Sequence, residues 1–144
     1  METKTTEELQ HEIKSAASID TFLQDNRENL IQYDLPGHLN ALLSQKNISK
    51  ADVVRGSLLS HAYVYQLFSG EKTPSRDTLI ALAFGLRLSD TEAQALLKAS
   101  KNRELYPRDE RDAVILYSLQ RGLSILEAND LLYGHEYKLL GVDS

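Results

Sequence analysis

An all-α fold follows from three features of the sequence. Apolar residues recur at spacings of three and four along nearly every segment, the period of one helix face, and no stretch alternates at spacing two for long enough to make a strand. Several segments open on Ser or Thr followed three residues later by an acid: Thr5 and Glu8, Ser49 and Asp52, Ser89 and Glu92, Ser124 and Glu127. That pattern satisfies the free N–H groups of a helix start reciprocally. The chain of 144 residues, 42% apolar and 26% charged, has the length and composition of one folded unit with a real core and added helices.

Taken in order, a first helix is expected at about 6–16 on Leu9, Ile13 and Ala16 or Ala17, and a second at about 19–32 on Ile19, Phe22, Leu23, Leu30 and Ile31. Asp34-Leu35-Pro36-Gly37 interrupts the pattern, and Pro36 suits the first turn of the next helix, which runs to about Lys46 on Leu39, Leu42 and Leu43. A short helix at roughly 49–57 holds Ala51, Val53 and Val54. Another at about 60–69 is stopped by Gly70, the residue best suited to the left-handed position after a helix. Ser75 is a natural cap for a helix on Leu79, Ile80, Leu82, Ala83 and Leu86, and Ser89 for one on Ala93, Leu96 and Leu97. A polar link follows at 101–108, where Leu105 and Tyr106 argue for a packed rather than a free segment. Two more helices are expected at about 109–121, on Ala113, Leu116, Tyr117 and Leu119, and 124–133, on Ile125, Leu126, Leu131 and Leu132.

Several functions are excluded by composition. The chain has no cysteine, so disulfides, zinc fingers and thiol nucleophiles are out, and a cytoplasmic setting is expected. METKTTEELQHEIK has acids and no apolar stretch of the signal-peptide kind, and no run of roughly 18 apolar residues is present to span a membrane. The histidines, His11, His38, His61 and His135, lack metal-site spacing, so neither a metal nor a cofactor is expected. Acid pairs such as Glu7-Glu8 and Asp109-Glu110 read as helix N-terminal charges, and without a glycine-rich phosphate loop or a nucleophile elbow no enzyme is expected.

Charge divides the chain into three. Residues 1–35 hold three basic and eight acidic side chains, residues 36–100 seven and five, and residues 101–144 six and eight, for an overall −5. That sum disfavours a protein that coats nucleic acid indiscriminately, because such binding comes from a surplus of Lys and Arg. Only the middle segment is net positive. At its centre, on a wheel of about 100° per residue, Val64, Leu67 and Phe68 share one inward sector, Ala62, Gln66 and Ser69 lie opposite, and Tyr63 and Tyr65 flank them. A helix of that shape, about two residues after another short helix, has the geometry of a helix-turn-helix.

Residues 36–100 resemble the phage-repressor/Cro type of helix-turn-helix domain, the Xre family, through Ser49-Lys-Ala-Asp-Val-Val, Val64-Tyr-Gln-Leu-Phe-Ser-Gly, the loop Glu71-Lys72-Thr73-Pro74-Ser75 and the apolar helix Thr78 to Leu86. The resemblance implies a lambda-repressor-like five-helix domain, flanked here by an acidic N-terminal extension (1–35) and a C-terminal helical segment (101–144). It implies double-stranded DNA as partner, bound by a homodimer whose third domain helix enters the major groove. On that helix His61, Ala62, Tyr63 and Gln66 would meet base edges: a glutamine can bond adenine bidentately, and a methyl can touch that of thymine. Lys50, Ser69, Lys72, Thr73 and Arg76 would hold phosphates and set register, with the N–H groups that open the helix of Lys50 in support.

Two positions depart from the family pattern: Leu58 stands where Gly or a small polar residue is usual, and Ser57 where an apolar one is. The turn is therefore expected to be repacked, with Leu58 or Leu59 supplying the apolar contact. The N-terminal extension has three readings: a cap on the core, a mimic of DNA charge, or a docking element. The C-terminal segment either packs back or forms the dimer interface. Net charge −5 keeps a second function in view, a protein-interaction module on the same fold, binding a toxin, kinase, polymerase subunit or defence nuclease.

Overall fold

The computed structural model describes residues 4–30 and 33–142, and all regular structure among them is helical. The chain divides into two compact units, Met1–Tyr33 and Asp34–Ser144.

In the first unit, α1 (Thr6–Ser15) is capped by the Thr5 hydroxyl and α2 (Ile19–Asp25) by the Ser18 hydroxyl. The second helix is shorter than its apolar pattern suggests. Asn26 ends it by donating from its side-chain amide to the Phe22 carbonyl (3.0 Å), a local bond that competes with helix continuation, and a 3-10 turn follows at Arg27–Asn29. The same amide donates to Glu12 (2.9 Å), and Asn26 accepts from the Lys4 ammonium (2.6 Å), which also pairs with Glu12. Phe22 and Asn26 are buried, whereas Ile13, Ile19 and Leu23 stay exposed. Ile31 lies outside the described residues.

Among its described residues the second unit holds seven helices, α3 (Leu35–Lys46), α4 (Lys50–Ser57), α5 (His61–Ser69), α6 (Arg76–Gly85), α7 (Asp90–Ala99), α8 (Glu110–Gln120) and α9 (Ile125–Gly134). Every start carries a side-chain cap, from Asp34, Ser49, Ser60, Ser75, Ser89, Asp109 and Ser124 in turn. The core is built around α6, where Thr78 through Gly85 are all buried. Helices α4 and α6 cross in backbone contact at two glycines: a Cβ on Gly85 would lie 2.7 Å from the Val53 carbonyl oxygen, and one on Gly56 2.9 Å from the Gly85 Cα. No side chain fits between them.

Residues 101–142 share this core. Leu105, Ile115, Leu119, Ile125, Ala128, Leu132 and Leu140 join Leu39, Val53, Val64 and Leu67 in one buried cluster. In the link, Leu105 packs and exchanges two hydrogen bonds with the Gln94 amide (2.7 and 2.9 Å), while Tyr106, expected to pack with it, is 53% exposed. A pair of oppositely ordered ion pairs joins the start of α6 to α8. Arg76 forks onto Asp112 (2.8 and 3.3 Å) and Arg111 onto Asp77 (3.0 and 3.1 Å). Beyond α9, Leu140 exchanges two buried hydrogen bonds with Asn129 (2.8 and 3.0 Å). Gly141 then lies so close to the α4–α5 turn that a Cβ on it would be 2.5 Å from the Ser57 carbonyl oxygen. The C-terminal segment thus packs back, with Tyr117, Leu126, Tyr133 and Val142 still exposed.

Candidate nucleic-acid interface

The residues expected to meet DNA lie mainly on α4, the turn after it, and α5. Ser49 and Asp52 form a complete capping box at the start of α4, with Asp52 accepting from the Ser49 N–H (2.9 Å) and hydroxyl (3.0 Å) and pairing with Arg55. The Ser49 N–H, and after it the Ser49 hydroxyl and Arg55, hold the Asp52 carboxyl below its usual range. This box places a carboxylate at the α4 start, so the peptide groups there offer less to a phosphate than an uncapped start would.

Helix α4 ends in a left-handed residue, Leu58, with φ 63°. Leu58 is 40% exposed and Leu59 is buried, so Leu59 is the one that supplies the apolar contact. Ser57, fully buried, accepts the Leu59 N–H on its hydroxyl (3.2 Å), which explains a polar residue in that position. Ser60 then caps α5, and Val64, Leu67 and Phe68 anchor its inner face.

On the outer face His61 and Ala62 are exposed and Gln66 is half-buried. The Gln66 carboxamide takes no partner among the described residues, so both its donor and acceptor edges remain available. Tyr63 is partly buried and packs on the core, which leaves its ring less surface to offer than its neighbours. Tyr65 is 39% exposed and stacks on His61 with ring centroids 4.3 Å apart, and the Lys50 ammonium stands 5.1 Å above the same ring. One tyrosine thereby joins the first turn of α4 to the first turn of α5. The wheel placed Tyr65 on a flank; its i, i+4 spacing from His61 was the signal for this stack.

At the far end of α5, Gly70 adopts φ 86°, and the Lys72 N–H donates back to the Gln66 carbonyl (3.3 Å). Lys72 and Thr73 are exposed beside that helix end. Ser69 is exposed too, but its hydroxyl donates to the Gln66 carbonyl (3.1 Å). Arg76 is placed differently from the phosphate role expected for it. Its guanidinium bonds Asp112 and the carbonyls of Arg103 (2.7 Å) and Glu104 (3.1 Å), with only 18% of the side chain exposed. Its donors are engaged inside the unit, and it ties α6 to the C-terminal segment.

The acids near this face are for the most part committed elsewhere. Asp52 is held by its capping box and Arg55, and Asp77 by Arg111 and, at 3.7 Å, Lys138. Glu71 remains exposed in the loop. Among the described residues no group of His, Asp or Glu could hold a metal ion, and no helix is long and apolar enough to cross a membrane.

Residues 38–90 match the family model of the Cro/C1-type HTH DNA-binding domain, a span that runs from α3 to the first residue of α7 and covers α4, the Leu58 turn and α5 entirely. Neither the curated proteins nor the solved structures contain a match to the chain.

Proposed function

We propose, from the premise that residues 38–90 are a Cro/C1-type helix-turn-helix DNA-binding domain, that this protein reads a specific double-stranded sequence through α5 and represses transcription by occupying it. The observation that carries the reading is the outer face of α5, which presents His61, Ala62 and an unpartnered Gln66, with the Lys50 ammonium held over Tyr65 and Phe68 and Lys72 exposed in the loop after the helix. Gln66 supplies the discriminating bidentate contact to adenine, Ala62 a methyl for thymine, and His61 a further polar contact, with Tyr63 at the margin. Lys50, Lys72 and Thr73 hold phosphates, while Ser69, expected among them, keeps its one hydroxyl proton on the Gln66 carbonyl. Two copies related by a two-fold axis would place two α5 helices in successive major grooves, so a homodimer on a palindromic site is the expected state. The protein would act in the cytoplasm, without a cofactor and without enzymatic activity.

Selection of bound fragments from random duplex DNA, followed by anisotropy titration over a salt series, tests this. Gln66→Ala should cost roughly 1–3 kcal/mol at one base position, and Lys72→Ala should weaken all sequences and lower the salt slope by about one. Absence of any sequence preference in the wild type, together with no effect of Gln66→Ala at low salt, would refute the DNA reading. That outcome would favour the protein-interaction module. Its supporting observation is the acidic first unit, which leaves Ile13, Ile19 and Leu23 exposed.

A further inference from the structure

A cleft of about 470 Å³ opens in the second unit, between α4, the end of α6, and the α8–α9 connection. Its size falls within the range of small-molecule sites, and its lining mixes apolar and charged side chains. The floor is apolar, formed by Phe84, Leu88, Leu119 and Ile125, and Leu123 and Leu126 continue it to the mouth. Two arginines, Arg55 and Arg87, stand on the rim.

The charged groups of the cleft are unequal in availability. Asp52 and Glu127 also line it, but each carboxylate is bound into a capping box, Asp52 with Ser49 and Glu127 with Ser124, whose N–H it accepts at 3.0 Å. Arg55 pairs with Asp52. Arg87 is exposed and its guanidinium takes no partner among the described residues, while hydrogen bonds from its own N–H to Phe84 (3.0 Å) and from Leu88 to Ala83 (2.9 Å) fix its backbone. The cleft therefore presents one uncommitted planar cation over an apolar floor, an arrangement that complements a carboxylate carried on an apolar body.

We propose that this cleft is a binding site for a small amphipathic carboxylate, with Arg87 taking the carboxylate and Leu88, Leu119, Leu123 and Ile125 the apolar part. The site joins α4 of the helix-turn-helix to the C-terminal hairpin, so an occupant would bridge the DNA-binding domain and its extension. The proposal does not depend on DNA recognition.

The probe is 2-naphthoate, added to the full chain without DNA and followed by backbone amide chemical shifts, with 2-naphthamide as its uncharged counterpart. A sub-millimolar dissociation constant, roughly, is expected for a ligand of this size, with shifts concentrated at 84–88 and 119–127. Arg87→Gln should weaken binding by about tenfold or more. Leu126→Glu, at a 61% exposed mouth residue whose change leaves the core intact, should do the same. Arg121→Gln, an exposed arginine outside the cleft, should bind as wild type does. The proposal is overturned if millimolar naphthoate produces no saturable shifts, or if the shifts centre instead on Tyr117 and Leu131. It is equally overturned if naphthamide binds as tightly as naphthoate, or if Arg87→Gln and Leu126→Glu both stay within twofold of wild type.

Discussion

Removing the Asp112 carboxylate should be the most damaging polar substitution in the second unit. Asp112 is 1% exposed, holds Arg76 through both oxygens and accepts the Tyr106 N–H (3.0 Å). Breaking a buried ion pair from one side costs about 3–5 kcal/mol, because the surviving charge is left desolvated. Here the lower end applies: Arg76 keeps some solvent and the carbonyls of Arg103 and Glu104. Asp112→Ala should therefore lose ~3 kcal/mol, which for a unit of this size lowers Tm by roughly 10–15 °C. Urea unfolding followed by circular dichroism measures the loss directly. The double variant Arg76→Met with Asp112→Leu removes both charges and should recover at least half of it, since a well-packed apolar pair substitutes well for a buried ionic one. A loss below about 1 kcal/mol in the single variant, or no recovery in the double, would refute the assignment of Arg76 and Asp112 as a buried structural link.

Three further outcomes are expected. Tyr65→Leu keeps an apolar body but removes the ring that gathers His61 and Lys50, so DNA affinity should fall about three- to tenfold with little change in Tm; unchanged affinity in the anisotropy assay would sink the positioning role. Leu58→Gly relieves a left-handed residue that is largely outside the core and should stabilise the unit by about 0.5–1 kcal/mol in urea, whereas Gly141→Ala, at φ 74° and against the Ser57 carbonyl, should destabilise it. Acid should lower stability in a defined window. Lys4 and Asn26 depress the Glu12 carboxyl, the Ser49 N–H depresses that of Asp52, and at Glu92 burial raises the carboxyl but is outweighed by Lys46 and the Ser89 N–H. Groups with depressed folded values contribute stability that is present above their unfolded values, 4.5 for Glu and 3.8 for Asp, and is lost as pH falls through the folded ones. Tm should thus hold steady down to about pH 4.5 and drop below it, and a flat profile to pH 3 would contradict these contacts.

The helix starts were legible because each is written locally, in a Ser, Thr or Asp and the residue three positions on, and a cap works at any site where the next residues can wind. Helix ends were less so. The second helix was expected to continue because Leu30 and Ile31 keep the apolar period, but Asn26 draws its side-chain amide onto the Phe22 carbonyl and onto Glu12, fourteen residues away. Arg76 shows the same limit at a site residue. Its neighbours Lys72 and Thr73 read as a phosphate loop, and only the arrival of Asp112 from 36 positions further along turns it inward. For Ser57 and Leu58 the local departure was visible, but the choice of Leu59 as the buried contact needed the turn geometry.

These long-range partners share one direction. Arg76 and Asp77 meet Asp112 and Arg111, Leu105 meets Gln94, and the chain after Asn129 reaches the Ser57 carbonyl at Gly141. Each contact ties the C-terminal segment to an earlier element of the unit: the start of α6, α7, and the α4–α5 turn. A helix of nine residues such as α5 cannot hold its own orientation, since so short a helix is marginal without tertiary packing. The Leu58 turn adds a left-handed residue that must be over-determined by its surroundings to persist. The C-terminal segment supplies that constraint: its apolar residues share one core with those of α3 to α7, and Gly141 closes on the Ser57 carbonyl and the Leu58 Cβ.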